Sequence, residues 1–409
     1  MREFRPLFGS YLLSTIGDEL ARLALTVLVY QRTQSTLLSA ATFAVSYLPW
    51  VLGGPVLGVL ADRFPRRTVL VASDVLRALL VACMALPGTP LPALLGLLVL
   101  VSFCAPPFEA ARSALTADIL TDDRYAVATS LTGIVLQLSQ AVGFLAGGVL
   151  IAVFSPSTAL LVNAATFAVS ALWLRAGLTQ RPAPVPDDEE EAASPLAAAV
   201  QGLRLVLRTP RLLSIVVLLW VGGVFLSAPE GIVTPWSVEL TGSTAAVGLL
   251  LAANPVGAVL GGVLIGRFCP PSLRERLVPG LVATSFLGTA VAGALALLAP
   301  DGVARDAGVV VALFVSGVGS AWSIPLNVLF VQAVPPEYRG RAFAIAVAGL
   351  SAASGAGIFA GGALAEVVAP SVVVACAGVV GTVVAVAPLV ALRRTRPPAD
   401  APVAGPSGA

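Results

Sequence analysis

The chain has 409 residues, of which 57% are hydrophobic and only 11% charged, with a formal net charge of +2 and a mean hydropathy of +0.94. A soluble domain carries about 45–50% apolar and about 25% charged residues, so this chain needs a bilayer to absorb its apolar surface, and it has no dense basic face for a nucleic acid. Histidine and lysine are absent, all 24 cationic side chains being arginine, which removes the commonest general base, metal ligand and Schiff-base residue and argues against an enzyme.

Crossing about 30 Å of hydrocarbon takes roughly 20 apolar residues in a helix. Punctuated by charges, Gly and Pro, the chain offers twelve such runs: 8–31, 37–61, 68–86, 92–116, 126–152, 158–176, 208–232, 244–267, 277–299, 306–333, 341–367 and 371–393. The segment Met1 to Pro6 is short and basic, with no A-x-A-like cleavage site after it, so the first run reads as a span and not a removed leader. An even count puts both termini on one side. Between spans, arginine crowds that side, and only Arg32 and Arg305 fall on the other. By the positive-inside rule both termini are cytoplasmic. The expectation is an all-α membrane protein of two six-helix bundles, 1–176 and 208–396. Residues 177–207, with Pro182, Pro184, Pro186 and the acidic run Asp187 to Glu191, read as a solvated linker. Within it, 196–207 read as a short amphipathic surface helix, and 397–409 as a disordered tail. Cys83, Cys104, Cys269 and Cys376 are scattered and read as small hydrophobes, not as a metal or disulfide set.

Charges inside spans are the sharper signal, because one at mid-bilayer costs at least ~2.5–3.5 kcal/mol unless paired or hydrated. Span one carries Asp18, Glu19 and Arg22. Asp18 and Arg22 are four apart and share a helix face, so the spacing predicts that they pair, with Glu19 about 100° away and free to exchange a proton. A fixed structural pair is the competing reading. In span four, Glu109 and Arg112 are three apart and face either each other or span one, with snorkelling towards the surface as the alternative. Asp74 and Arg77 in span three read as partners of the neighbouring loop. Glu230, between Pro229 and Gly231, reads as a gate or mouth residue near the outer end of span seven, or simply as water-exposed. Asn254-Pro255 and Ile324-Pro325 loosen their spans, and Trp322, Asn327 and Gln332 are candidate substrate contacts.

The two halves repeat each other. Gly143, Gly147, Gly148 and Pro156 recur as Gly357, Gly361, Gly362 and Pro370 at a constant offset of 214, and Gly58, Asp62 and Arg63 match Gly262, Gly266 and Arg267 at an offset of 204. Small residues let helices approach closely. A parallel six-plus-six repeat suits a transporter whose halves rock about a site between them.

The loop Gly58-Val59-Leu60-Ala61-Asp62-Arg63-Phe64-Pro65-Arg66-Arg67 is similar to the loop signature of the major facilitator superfamily, with proline where the family often has glycine. Gly17-Asp18, Ala164-Ala165-Thr166-Phe167 and the stretch from Pro335 to Arg341 resemble the branch of bacterial siderophore, macrolide and drug exporters. Gly143, Gly147 and Gly148 resemble the span-five motif of superfamily antiporters, with Phe144 in place of its proline. The resemblance implies a cytoplasmic gate: Asp62 at the N-terminus of span eleven near Gly340, and Arg63, Arg66 and Arg67 paired with acids such as Asp118. The alternative is that these arginines only anchor topology. It also implies export of a small amphipathic molecule, a drug or secreted metabolite, by alternating access. The energy source would be a proton gradient with no bound cofactor, in a monomeric multi-pass protein of the cell membrane. An importer of a small solute and a transport-inactive sensor or assembly partner are the rival readings.

Overall fold

The computed structural model describes residues 3–52, 63–120, 122–182, 195–335 and 338–395. Among them every regular element is helical. The first half contains α1 (Phe4–Thr33), α2 (Thr36–Ala44), a 3-10 turn (Val45–Tyr47), α3 (Leu48–Leu52), α4 (Arg66–Met84), α5 (Leu91–Phe103), α6 (Ala105–Ile119), α7 (Asp122–Val153) and α8 (Pro156–Gly177). The helix expected within 196–207 is α9 (Pro195–Arg208). It leads into α10 (Pro210–Thr241), α11 (Val247–Phe268), α12 (Pro271–Leu298), α13 (Val303–Ser320), α14 (Ser323–Ala333), α15 (Arg339–Leu364) and α16 (Pro370–Arg394). Among the described residues nine helical stretches are long and apolar enough to cross a membrane, and Thr36–Val51 is a shorter apolar one. The charged helices α1 and α4 stand outside that set. Apolar side chains such as Val149, Leu172, Val303 and Val383 are exposed, as helices that face lipid require.

Proline explains most helix ends. Pro156, Pro210, Pro271 and Pro370 open their helices, where a missing N–H costs nothing. Two runs that read as single spans remain single membrane-spanning stretches, Leu91–Ile119 and Val303–Ala333, but each is interrupted within. Residues 92–116 divide at Cys104, just before Pro106 and Pro107, and 306–333 divide at Ala321 and Trp322, just before Pro325, since proline denies the preceding turn a donor. Conversely, Pro229 and Pro235 sit inside α10 without ending it. The span read as 208–232 therefore continues to Thr241.

Contacts between helix ends define two faces. On one, Glu3 binds Arg181 and Thr179, and Arg211 binds Glu275 and the carbonyl of Thr395. This terminal face gathers the start of α1, the end of α8, the start of α10 and the end of α16. The opposite, far face carries the turn at Gln34 and the end of α15.

The repeat has a physical meaning in the packing. In the first half α1 packs on α7 and α8, and α4 on α8. In the second half α10 packs on α15 and α16, and α12 on α16. Gly143 and Gly147 let α7 lie against Ile16, Glu19 and Leu20 of α1, as Gly357 and Gly361 let α15 lie against Val224 and Ala228 of α10. The next glycine of each set reaches the other half: Gly148 meets Gly248 of α11, and Gly362 meets Ala40 of α2. One buried apolar cluster joins the halves along this seam, including Leu23, Ala40, Phe43 and Phe144 with Ile232, Trp236, Leu251 and Ile358.

Candidate functional site

The seam closes at the far face and stays packed inward to Tyr47. There Glu366, just past α15, accepts hydrogen bonds from Ser35 Oγ and Leu37 N. Deeper in, Gly231 lies against Ala40 and Ile358, and Gly355 against Tyr47 and the Ala44 carbonyl. Beneath this plug is a cavity of about 70 Å³, room for about two waters. Arg22, Gln140 and Phe144 line it from the first half, and Glu230, Trp236, Asn254 and Thr289 from the second.

A network of ionisable side chains runs from this cavity into the first half. Arg22 Nη1 is 3.0 Å from Glu19 Oε2, so the pairing expected between Asp18 and Arg22 is not the one made. Arg22 turns towards α2, with its guanidinium 5.2 Å from the Phe43 ring centroid, and that rotation brings it over Glu19. Gln140 of α7 hydrogen-bonds to Glu19 as well. Asp18 looks the other way, with Arg77, Arg22 and Glu109 as its charged surroundings.

Arg77 and Asp74 are not partners of the surface loop. Asp74 is fully buried and Arg77 is 4% exposed. Arg77 Nη1 lies 3.8 Å from Asp74 Oδ1, and Ser170 Oγ donates to Asp74 Oδ2. The guanidinium sits between the rings of Phe108 and Phe167, 4.9 and 5.3 Å from their centroids. Stacking of this kind stabilises a desolvated cation. In α6, Arg112 Nη2 is 2.7 Å from Glu109 Oε2, and its guanidinium lies 4.0 Å over the Tyr11 ring. The pair therefore faces α1, not the surface.

Glu230 is the residue that sequence reasoning misplaced. Because α10 runs on to Thr241, Glu230 stands eleven residues from its far end, about 16 Å deep at ~1.5 Å per residue. It is a central residue, not one at the mouth. The hydroxyl of Tyr47 donates to it across the seam, and Arg22 and Glu19 are its charged neighbours. Tyr47 and Gln140 carried no charge to flag them. Trp322 packs on Gly222, Asn327 and Gln332 are exposed, and none of the three lines the cavity. Asn254 does, bonded at 3.4 Å to Ser316.

Of the gate residues, Gly58 and Asp62 lie outside the described residues, and Arg63 is exposed. Arg66 is paired with Asp118 and donates to the Ala114 carbonyl at 3.3 Å. Arg67 donates to Gln180 and to the Arg175 carbonyl. These partners lie in the first half and, for Gln180, at the start of the linker. Among the described residues nothing lies within 4 Å of a Cβ at Gly340. Nearby, burial pushes the Glu3 carboxyl up, but hydrogen bonds from Arg181 and Thr179 hold it at about 2.

Comparisons with known proteins agree with this architecture. The model of the Major Facilitator Superfamily matches residues 7–282 and 231–408. The chain is 28% identical over 368 residues to YfiS, an uncharacterized MFS-type transporter of Bacillus subtilis (strain 168), covering 88% of this chain and 86% of that protein. It is 27% identical over 341 residues to the enterobactin exporter EntS of Salmonella typhimurium, covering 82% and 78%. In fold it is similar to an auto-inhibited POT family peptide transporter, with a TM-score of 0.74 at 14% identity over 97% of this chain and 98% of that one. PepTSo, another POT family transporter, gives 0.74 at 12% identity, covering 96% and 98%. The family match spans nearly the whole chain and both glycine-lined halves, and the chain belongs to the major facilitator superfamily, as a multi-pass membrane transporter.

Proposed function

We propose that this chain is a twelve-span exporter with both termini in the cytoplasm, moving a small amphipathic molecule out of the cell by alternating access in exchange for protons. The observation that carries the proposal is a charge imbalance. Around the seam, Asp18, Glu19, Asp74, Glu109 and Glu230 stand against Arg22, Arg77 and Arg112. Among the described residues these carboxylates outnumber the guanidiniums beside them, and a carboxylate held away from water is a group that a proton can neutralise. A group of this kind can release a proton when its surroundings become wet or a substrate enters.

The position of Glu230 in one half and Arg22 in the other couples that protonation to the relative placement of the halves. Closure at the far face fits a state shut towards the outside. Export, and a drug or secreted metabolite as substrate, draw on the likeness to the EntS exporter; the mixed polar and aromatic lining of the central cavity suits an amphipathic solute once the halves part and the cavity widens. The six-helix bundles 1–176 and 208–396 are the rocking units, with the link between them at the terminal face, and the monomer is the working form.

The test is a pH-sensitive dye in inverted vesicles, with an inward-acid gradient and a panel of amphipathic compounds. A transported compound releases the gradient through the wild type, and the release is lost in Glu19→Gln and Glu230→Gln. If no compound dissipates the gradient while the protein is folded and inserted, proton antiport of that panel is excluded. Acid-driven loss of substrate from the lumen would instead establish import.

A further inference from the structure

A second cavity, of about 370 Å³, opens at the terminal face of the first half, far from the seam. It is lined by Arg66, Arg67, Leu115, Asp118, Thr179, Arg181 and Pro182. Three guanidiniums converge here. Asp118 compensates Arg66 and Glu3 compensates Arg181. Among the described residues, Arg67 bonds to the neutral oxygens of Gln180 and Arg175. Arg66 and Arg67 also form the first turn of α4, whose partial positive end adds to the field. Two donors in the same pocket, Arg66 Nε and Arg181 Nη1, are buried without a hydrogen-bond partner among the described residues. Orphaned guanidinium donors are costly, and small rotations about these side chains would turn them to an anion in the cavity.

We infer that this pocket binds a phosphate group. Forked guanidiniums match phosphate oxygens bidentately, and the volume holds a phosphate with a glycerol-sized substituent. Its surroundings point to a lipid headgroup as the source. Val75, Leu76 and Leu79 of α4 and Val169, Leu172 and Trp173 of α8 are exposed, giving an apolar flank along the two helices whose terminal-face ends frame the pocket. Acyl chains can lie on that flank while the phosphate enters between the arginines. This site lies at the terminal face, away from the central cavity, and does not depend on the reading of proton exchange.

The experiment uses the full chain in detergent, with phosphatidylglycerol, phosphatidylcholine or inorganic phosphate added, and reads lipid adducts by native mass spectrometry together with thermal unfolding. The wild type is expected to retain phosphatidylglycerol over phosphatidylcholine. Arg67→Gln and Arg181→Gln are expected to weaken retention by about fivefold each, the scale for one arginine against an anionic headgroup. Arg274→Gln, on the terminal face of the second half, should retain the lipid fully and so controls for loss of net charge. Because these variants alter one side chain each, unfolding in lipid-free detergent reports whether they fold. Equal stabilisation by inorganic phosphate alone would assign the site to a soluble phosphate compound. Retention unchanged in a folded Arg67→Gln, Arg181→Gln double variant overturns the inference.

Discussion

Glu366 holds the first turn of α2: its Oε1 accepts from Leu37 N at 2.7 Å and from Ser35 Oγ at 2.7 Å, across the seam between the halves. A carboxylate at a helix N-terminus satisfies orphan donors and meets the positive end of the helix dipole. The hydrogen bonds from the Leu37 backbone and Ser35 hold the Glu366 carboxyl below its ordinary value. Its contribution to closure is therefore present above the ordinary glutamate range and is lost as pH falls through the lowered value. Glu366→Gln should weaken far-face closure by about fivefold, the scale of ~1 kcal/mol for an exposed charge-assisted bond. Spin labels at Leu86→Cys and Val303→Cys read the distance between halves on that face. The closed population should fall on acidification in the wild type and be pH-flat in that acid range in the variant. A pH response identical in both would remove Glu366 from the latch.

Arg22 and Glu19 form the ion pair of α1. Removing one member of a desolvated pair leaves the other uncompensated, at a cost of about 3–5 kcal/mol when fully buried. Arg22 borders the cavity, so Arg22→Gln should fall at the lower end, about 3 kcal/mol. Adding Glu19→Gln should recover most of the loss, because no unpaired charge remains. Thermal unfolding of the two single variants and the double variant gives the coupling directly. Additive losses would mean that the pair is not energetically coupled.

Much of this was legible in the residues. Composition fixes the membrane class, and the 214-residue offset locates the seam glycines before any contact is seen. Intramembrane charge picked out Asp18, Glu19, Arg22, Glu109 and Arg112. What spacing could not supply is direction around a helix when two acids flank one arginine at i−3 and i−4. Phe43, from another helix, decides between Asp18 and Glu19. Depth was misread for Glu230 for a related reason: Pro229 and Pro235 look like a helix end, yet neighbouring helices keep α10 intact through both. Tyr47 is invisible to a reading based on charge, although its hydroxyl is the donor that ties the turn after α2 to Glu230.

Tyr47 and Glu230 make a separable prediction. Tyr47→Phe removes the donor and keeps the ring, so it should leave folding intact and cost about 1–2 kcal/mol at the closed seam. Glu230→Gln keeps an acceptor for Tyr47 but cannot exchange a proton. In reconstituted vesicles Tyr47→Phe should therefore retain gradient-driven transport at a lower rate. Glu230→Gln should retain only substrate exchange down its own gradient. Full gradient-driven transport by Glu230→Gln would show that the proton is carried elsewhere in the network.

The two glycine triplets divide into stability and gating. A Cβ at Gly148 would stand 2.8 Å from Gly248 Cα, backbone against backbone, so neither side chain can give way. Gly148→Ala should leave each bundle folded and force the far-face seam apart, widening the distance between labels at 86 and 303. A Cβ at Gly357 would instead strike the Val224 carbonyl within the second half. Gly357→Ala should thus lower thermal stability, by about 1–3 kcal/mol as overpacking does, with little effect on that distance. Gly266→Ala, where nothing among the described residues lies within 4 Å of the added Cβ, should change neither. If Gly148→Ala and Gly357→Ala gave the same pattern, the distinction between packing inside a half and packing across the seam would be wrong. Opposite patterns at the last glycine of the first triplet and the first glycine of the second would show that the repeated motif serves two tasks, holding each bundle together and letting the bundles part.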